Sequence, residues 1–272
     1  MSQKLVLAKA GIPTYTMHEN YRELIWMLAK TDFKLRYHGS VLGYVWAILK
    51  PLLMFLILNF VFSSIFNPRN TGTSYYSIQL LTSIMLFNFF AEGTMAGLNS
   101  LIQKSTLVTK IYVPRWTIIV AATLNSLLIF LMNLIVIALF FLWYRFLPDG
   151  LAVLTFFAYI ALTYLVILGF SFIAAPLYVR FRDLSQIWEV VVSAMFYASP
   201  IVYPLSILPQ KYHFFILASP IAYIIHFTKM ALTENHYAPL WQNAIFAGSV
   251  VAFFFLGIAI YRKFEKDIAE NI

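Results

Sequence analysis

The chain has 272 residues, 61% of them hydrophobic and 11% charged, with a mean hydropathy of +0.79, whereas an ordinary soluble domain carries roughly a quarter charged residues. It holds no cysteine, which excludes disulfides, thiolate metal sites and a cysteine nucleophile. The net charge of +8 is clustered at the ends of apolar runs, so it reads as membrane topology rather than a nucleic-acid surface, and an all-α integral membrane protein is predicted.

Residues 1–37 hold Lys4, Lys9, Arg22, Lys30, Lys34 and Arg36. Their longest apolar run, Leu24 to Ala29, is too short for a removable signal peptide. A tail over 1–15 leads to Thr16-Met17-His18-Glu19, which has the spacing of a capping box. The helix that follows places Tyr21, Leu24, Leu28 and Leu35 on one face and Glu19, Glu23, Lys30 and Lys34 on another. Trp26, Met27 and Phe33 blur that division, and the segment is read as an interface helix at the membrane surface, with a solvated helix as the alternative.

The run from His38 to Phe66 is almost wholly apolar and long enough to cross a bilayer. The rest of the chain can be read as built around it. Asn67 to Gly72 marks a loop, and a second span over about 75–102 contains Glu92. Gly39 with Gly43, and Gly93 with Gly97, have the GxxxG spacing that permits close helix contact. The basic stretch 103–115 reads as a loop with a short helix. A third span over 116–144 carries Asn125 and Asn133, expected to hydrogen-bond neighbouring helices.

The fourth span, 151–178, ends at the charged loop Arg180-Phe181-Arg182-Asp183. The fifth, 187–203, meets Pro200 and Pro204 after only about 20 Å of helix and is expected to break or re-enter. Residues 204–240 are apolar but interrupted by four prolines, and are read as short helices dipping into the outer leaflet. A last span covers 241–261 and a charged tail 262–272. The expected organisation is thus a tail and interface helix (1–37), a six-span domain (38–261) and a cytoplasmic tail.

Orientation follows from the Lys and Arg count. One side collects six in 1–37, three in 103–115, two in 179–186 and three after 261, fourteen of the nineteen. The positive-inside rule then gives six spans with both termini cytoplasmic. A seventh span over 221–233 is rejected because it throws the basic tail outside. Trp116, Trp143, Trp188 and Trp241 fall at predicted span ends, where indoles prefer to sit.

The chemistry present is that of transport. These residues contain no GxxxxGK[ST] phosphate loop, no DxD pair and no histidine spacing for a metal. The charged residues at membrane depth are Lys50 and Glu92, with Glu189 near an end. Ser40 to Lys50 and Glu92 to Ile102 each cover about 15 Å of helix, so the two side chains are expected at matched depth, paired or sharing a polar cavity. Snorkelling of Lys50 to the headgroups is the alternative. Pro51 is expected to kink the helix beside it. Glu189, Ser193, Phe196, Pro200 and Tyr203 share a predicted face that suits a polar, ring-shaped substrate.

The stretch Arg36-Tyr37-His38-Gly39-Ser40-Val41-Leu42-Gly43-Tyr44-Val45-Trp46, followed by Lys50-Pro51, resembles the RY.GS.LG..W....P signature of ABC-2 permeases that export polysaccharides: O-antigen, teichoic acid and capsule. The likeness covers nearly the whole chain. Leu101 to Lys104 with Tyr112 to Arg115 is similar to the family's coupling segment, Phe181 to Leu184 to its second cytoplasmic loop, and Ser219 to Tyr223 to its re-entrant region. The family often has Asn where this chain has Lys50, so a role for that lysine is not inherited.

The resemblance implies the permease subunit of an ATP-driven exporter of lipid-linked polysaccharide in the bacterial cytoplasmic (inner) membrane, itself no enzyme. It implies a homodimer in contact with membrane lipids, paired with two copies of a separate ABC ATPase subunit that binds ATP and Mg, and no cofactor in this chain. The channel residues expected are Tyr44, Trp46, Lys50, Met54, Glu92, Glu189, Ser193, Phe196 and Tyr203. ATPase coupling is expected at Lys104, Lys110, Tyr112, Arg115, Arg180, Arg182 and Asp183. The competing readings are an ABC-2 exporter of a drug or small lipid, a secondary transporter, which often shows paired broken helices, and a membrane-embedded glycan-processing enzyme.

Overall fold

The structure, a computed structural model, describes residues 21–66, 75–110 and 114–271. The Thr16–Glu19 capping box, the Asn67–Gly72 loop and Tyr112 lie outside them. Among the described residues every regular element is helical: α1 Tyr21–Tyr37, α2 Val45–Phe66, α3 Tyr76–Gln103, α4 Ser105–Lys110, α5 Arg115–Trp143, α6 Gly150–Arg180, α7 Leu184–Ala198, a 3-10 turn Leu205–Ile207, α8 Gln210–Leu217, α9 Pro220–Glu234 and α10 Leu240–Asn271. In hydrocarbon a helix satisfies its own backbone polar groups, which is why apolar runs of this length adopt it.

Five helices are long and apolar enough to span a membrane, with segments Val45–Ser63, Tyr76–Gln103, Arg115–Trp143, Gly150–Arg180 and Leu240–Glu265, and the pair α8 and α9, bent by 113°, makes up to a sixth. The organising element is α3, not the first span: 72% of its most apolar window is buried, against 17% for the windows in α2 and α10. It packs on α2, α5, α6, α7 and α9. Phe89 of α3 stacks on Phe130 of α5 with ring centroids 4.6 Å apart.

The two GxxxG pairs have different fates. Gly93 and Gly97 lie against Ile167 and Ser171 of α6, where an added Cβ would collide, so the close approach of these helices depends on them. Gly39 and Gly43 have φ of +76° and +50° with nothing nearby. They turn the chain instead of packing it, and α2 begins at Val45 rather than at residue 40. Gly257 of α10 meets the backbone of Gly169 on α6, a contact the sequence reading did not single out.

The fifth predicted span is a helix of only 15 residues, Leu184–Ala198, about 22 Å long, closed by Ser199 and Pro200 rather than continuing to residue 203. The carbonyls of the turn that follows it need donors too. Lys229 of α9, 7% exposed, supplies them to Pro200 and Ile201 at 2.5 and 3.0 Å. α9 itself is buried between α3 and α6. It ends at Asn235, which takes the left-handed conformation with φ of +50°, a common helix stop. The predicted 262–272 tail is not separate: α10 runs on to Asn271.

Candidate functional site

The polar residues Asn88, Glu92, Asn99 and Gln103 recur along α3 at spacings of four, seven and four, which places them on one side of a helix. From Asn88 to Gln103 is about 22 Å, most of the depth of a hydrocarbon core. All four line cavities on that flank.

One cavity, of about 600 Å³, lies among α1, α3, α5 and α7. Its polar lining is Asp32, Arg36, Glu92, Asn99, Ser100, Gln103, Lys104, Asn125, Glu189 and Ser193. A second, of about 310 Å³, lies among α2, α3 and α5 and contains Lys50, Met54, Asn88, Glu92, Ser126 and Asn133. A third, of about 490 Å³, is bounded by α3, Tyr178, Ser185 and Glu189. The first two share Glu92, and the first and third share Met95, Asn99, Gln103 and Glu189. A polar surface therefore follows α3 through an apolar bundle.

Two ion pairs fasten α1 across it. Arg36 donates to Glu92 at 2.9 Å, and Lys104 to Asp32 at 2.5 Å. Pairs this exposed contribute roughly 0.2–1 kcal/mol in water, so their effect is to position α1 more than to stabilise the fold. The rest of α1 is held by apolar contacts. Ala29 is fully buried, and Tyr21 meets Trp116 edge-on with centroids 5.7 Å apart.

Of the predicted channel residues, Lys50, Met54 and Glu92 come together in the 310 Å³ cavity. Lys50 and Glu92 do not form an ion pair, because the carboxylate is taken by Arg36. Glu189 and Ser193 line the 600 Å³ cavity, with the Ser193 hydroxyl donating to the Glu189 carbonyl at 2.9 Å. Phe196 turns instead into the core, edge-on to Phe87 at 5.2 Å.

Tyr203 does not extend the α7 face. The chain turns at Ser199, and the Tyr203 hydroxyl folds back to donate to the Ala198 carbonyl at 2.9 Å. Tyr44 stacks on Phe33 of α1 at 5.0 Å, and Trp46, half-buried near the start of α2, lines none of these three cavities.

The predicted coupling residues divide similarly. Lys104 is engaged by Asp32, and Arg115 donates to the Glu265 carbonyl at 2.6 Å, joining the start of α5 to the far part of α10. Arg180, Arg182 and Asp183 are exposed at the tight connection from α6 to α7. The side chain of Lys110 and all of Tyr112 lie outside what the structure describes.

Asn125 and Asn133 depart from expectation. Neither bonds a neighbouring helix: the Asn133 amide donates to Ile129 of its own helix at 3.2 Å, and the side-chain oxygens of both have no partner among the described residues. Each lines a cavity instead. Trp188 also differs from an interfacial indole. It stacks on Phe170 at 4.0 Å and donates to the Thr94 hydroxyl at 3.0 Å.

Sequence reasoning isolated Glu92 and missed Asn88, Asn99 and Gln103. The signal that could have found them is their helical spacing. The set offers amide donors and acceptors, carboxylates and fixed cations, suited to exchanging hydrogen bonds with a polar solute. Among the described residues no group of three His, Asp or Glu is placed to hold a metal ion.

Comparison with known proteins bears on the same helices. The family model described as ABC-2 type transporter matches residues 23–232, from α1 to near the end of α9. The O-antigen export system permease protein RfbA of Klebsiella pneumoniae is 27% identical over 254 residues, covering 91% of this chain and 94% of that protein. A protein of the same name from Myxococcus xanthus is 26% identical over 192 residues, covering 70% and 72%. The polysialic acid transport protein KpsM of Escherichia coli is 23% identical over 239 residues, covering 86% and 91%. With the match extending over most of its length and over the helices that build the polar flank, the chain belongs to the ABC-2 type transporter family.

Proposed function

We propose that the chain is the permease subunit of an ATP-driven exporter that moves lipid-linked polysaccharide across the bacterial cytoplasmic membrane. The observation that carries this reading is the polar flank of α3, a row of three amides and one carboxylate reaching through most of an apolar bundle. A sugar polymer needs such a surface, because each unpartnered hydroxyl in hydrocarbon is costly. The relatives named for O-antigen export and polysialic acid transport support polysaccharide as the substrate class over a drug or small lipid.

The working unit is a homodimer with two copies of a separate ATPase. α2 and α10 are the least buried spans, and α7 has no fully buried residue. Their exposed apolar side chains, Leu56, Ile57 and Phe60 on α2 and Val190 and Tyr197 on α7, give faces for a second copy and for lipid. ATP and Mg belong to the ATPase, since these residues hold no phosphate loop. Arg180, Arg182 and Asp183 are the exposed groups for its docking, on the cytoplasmic side together with both termini. The Lys104–Asp32 and Arg115–Glu265 contacts support that grouping by linking α1, the start of α5 and the far part of α10.

The test is export in inverted membrane vesicles containing this chain and its ATPase, loaded with a labelled lipid-linked glycan. Vanadate-sensitive uptake of the glycan into the vesicle lumen is expected. Uptake that needs no ATP in vesicles lacking the ATPase contradicts the reading.

A further inference from the structure

Arg115 belongs by sequence to the basic stretch 103–115, whose charges are expected to face an ATPase. The fold turns it the other way. Its side chain is half-buried at the start of α5, and the guanidinium donates to the Glu265 carbonyl of α10 at 2.6 Å. A charged donor makes a stronger hydrogen bond than a neutral one, and a carbonyl inside a helix is a fixed acceptor. Trp116, the next residue, packs against the same apolar cluster as Tyr261 of α10.

What Arg115 grips is itself held. Tyr261 lies one turn before Glu265 and is 4% exposed. Its ring meets Phe172 of α6 edge-on with centroids 5.5 Å apart, and its hydroxyl donates to the Glu265 carboxylate at 3.4 Å. One turn earlier, Gly257 lies so close to the backbone of Gly169 on α6 that an added Cβ would collide. α6 and α10 thus form one closely packed wall.

The other end of the same stretch is attached elsewhere. Lys104 follows α3 directly and holds Asp32 of α1 at 2.5 Å, and both residues line the 600 Å³ cavity. The short helix α4, Ser105–Lys110, therefore belongs to a stretch with one end on the α6–α10 wall and the other on the polar flank.

We propose that Arg115 is a positioning residue: it anchors the start of α5 to α10, so that force applied to α4 moves α3 and α1 and leaves the α6–α10 wall in place. A push on a segment free at both ends only displaces it. With one end fixed, the displacement is delivered at the other, here at Lys104, Asp32 and the cavity they line. The requirement at position 115 is a long side chain with a charged donor, which lysine also supplies and methionine does not. The source of the force rests on the export reading above, and the anchor does not.

The experiment uses the full-length chain with its ATPase in the inverted vesicles, reading affinity for the ATPase, ATP hydrolysed and glycan transported per ATP. Arg115→Met holds ATPase affinity within about twofold of wild type and transports about tenfold less glycan per ATP. Arg115→Lys keeps most of the wild-type ratio. The double variant Arg115→Cys with Glu265→Cys is uncoupled as prepared, and a short bis-methanethiosulfonate linker restores its ratio, because a tether replaces an anchor and not a docking contact. Hydrogen exchange at the far end of α10, measured without the ATPase, is faster in Arg115→Met and returns toward wild type in Arg115→Lys. ATP-independent transport by the wild type, with this exchange pattern intact, removes the export reading and keeps the anchor. Weakened ATPase binding in Arg115→Met with an unchanged ratio, no rescue by the linker, or unchanged exchange overturns the proposal.

Discussion

Arg36 of α1 and Glu92 of α3 are joined at 2.9 Å, and the same Glu92 side chain lines the cavity that holds Lys50. One carboxylate thus stands between α1 and the lysine of α2. The ion pair decides which of the two cations depends on it.

Reversing Lys50 and Glu92 together, as Lys50→Glu with Glu92→Lys, therefore gives no rescue of export over either single change. Exchanging Arg36 and Glu92, as Arg36→Glu with Glu92→Arg, does restore function. The readout besides export is hydrogen exchange over residues 30–37, faster in Glu92→Gln and returned toward wild type in the Arg36/Glu92 exchange. The effect is modest, about 0.2–1 kcal/mol for a pair this exposed. Rescue by the Lys50/Glu92 reversal contradicts the arrangement.

Lys229 has a structural role. Its Nζ donates to the carbonyls of Pro200 and Ile201 just beyond the end of α7. Lys229→Met leaves both acceptors unpaired in a buried site and is expected to lower stability by about 1–3 kcal/mol, read as an earlier thermal unfolding transition of the detergent-solubilised protein. An unchanged transition would mean that other groups satisfy this break.

The glycines make a contrasting set. Gly97→Val forces a side chain into Ser171 of α6 and is expected to cost about 1–3 kcal/mol through overpacking, with loss of the folded peak in size-exclusion chromatography as the check. Gly43→Ala meets no neighbour but places a side chain at φ of +50°, a strain of about 1–2 kcal/mol. That strain falls on the turn between α1 and α2 and is expected to alter export while the bundle stays folded. Equal behaviour of the two variants contradicts the distinction.

Much of this fold was legible because hydrocarbon is a demanding solvent. Apolar length alone placed α2, α3, α5, α6 and α10, and Pro200 announced the short α7. Less legible were features set by who packs on whom. The His38–Phe66 run reads as central because it is almost wholly apolar, but an apolar run suits a lipid-facing helix as well as a core one. The helix that owns the core, α3, is the one diluted with Asn, Glu, Gly and Ser. Asn125 and Asn133 were read as helix-to-helix bonds because spacing does not reveal whether a partner stands opposite. Tyr203 was extrapolated along a helix that Ser199 and Pro200 had already ended, and Lys229 acquired its task only when that break folded against α9.

The polar flank of α3 is the centre of the account, and the absence of native cysteine makes it directly accessible to test. Single variants Asn88→Cys, Asn99→Cys and Gln103→Cys are to be exposed to a charged methanethiosulfonate in export-competent vesicles, alongside Leu86→Cys and Leu98→Cys at fully buried positions. The three flank positions are expected to react, to be protected by actively exported glycan and to stop export once modified, while the two leucine positions stay unreactive. Reaction at Leu98→Cys as fast as at Asn99→Cys, or full export after Asn99→Cys is modified, would contradict it.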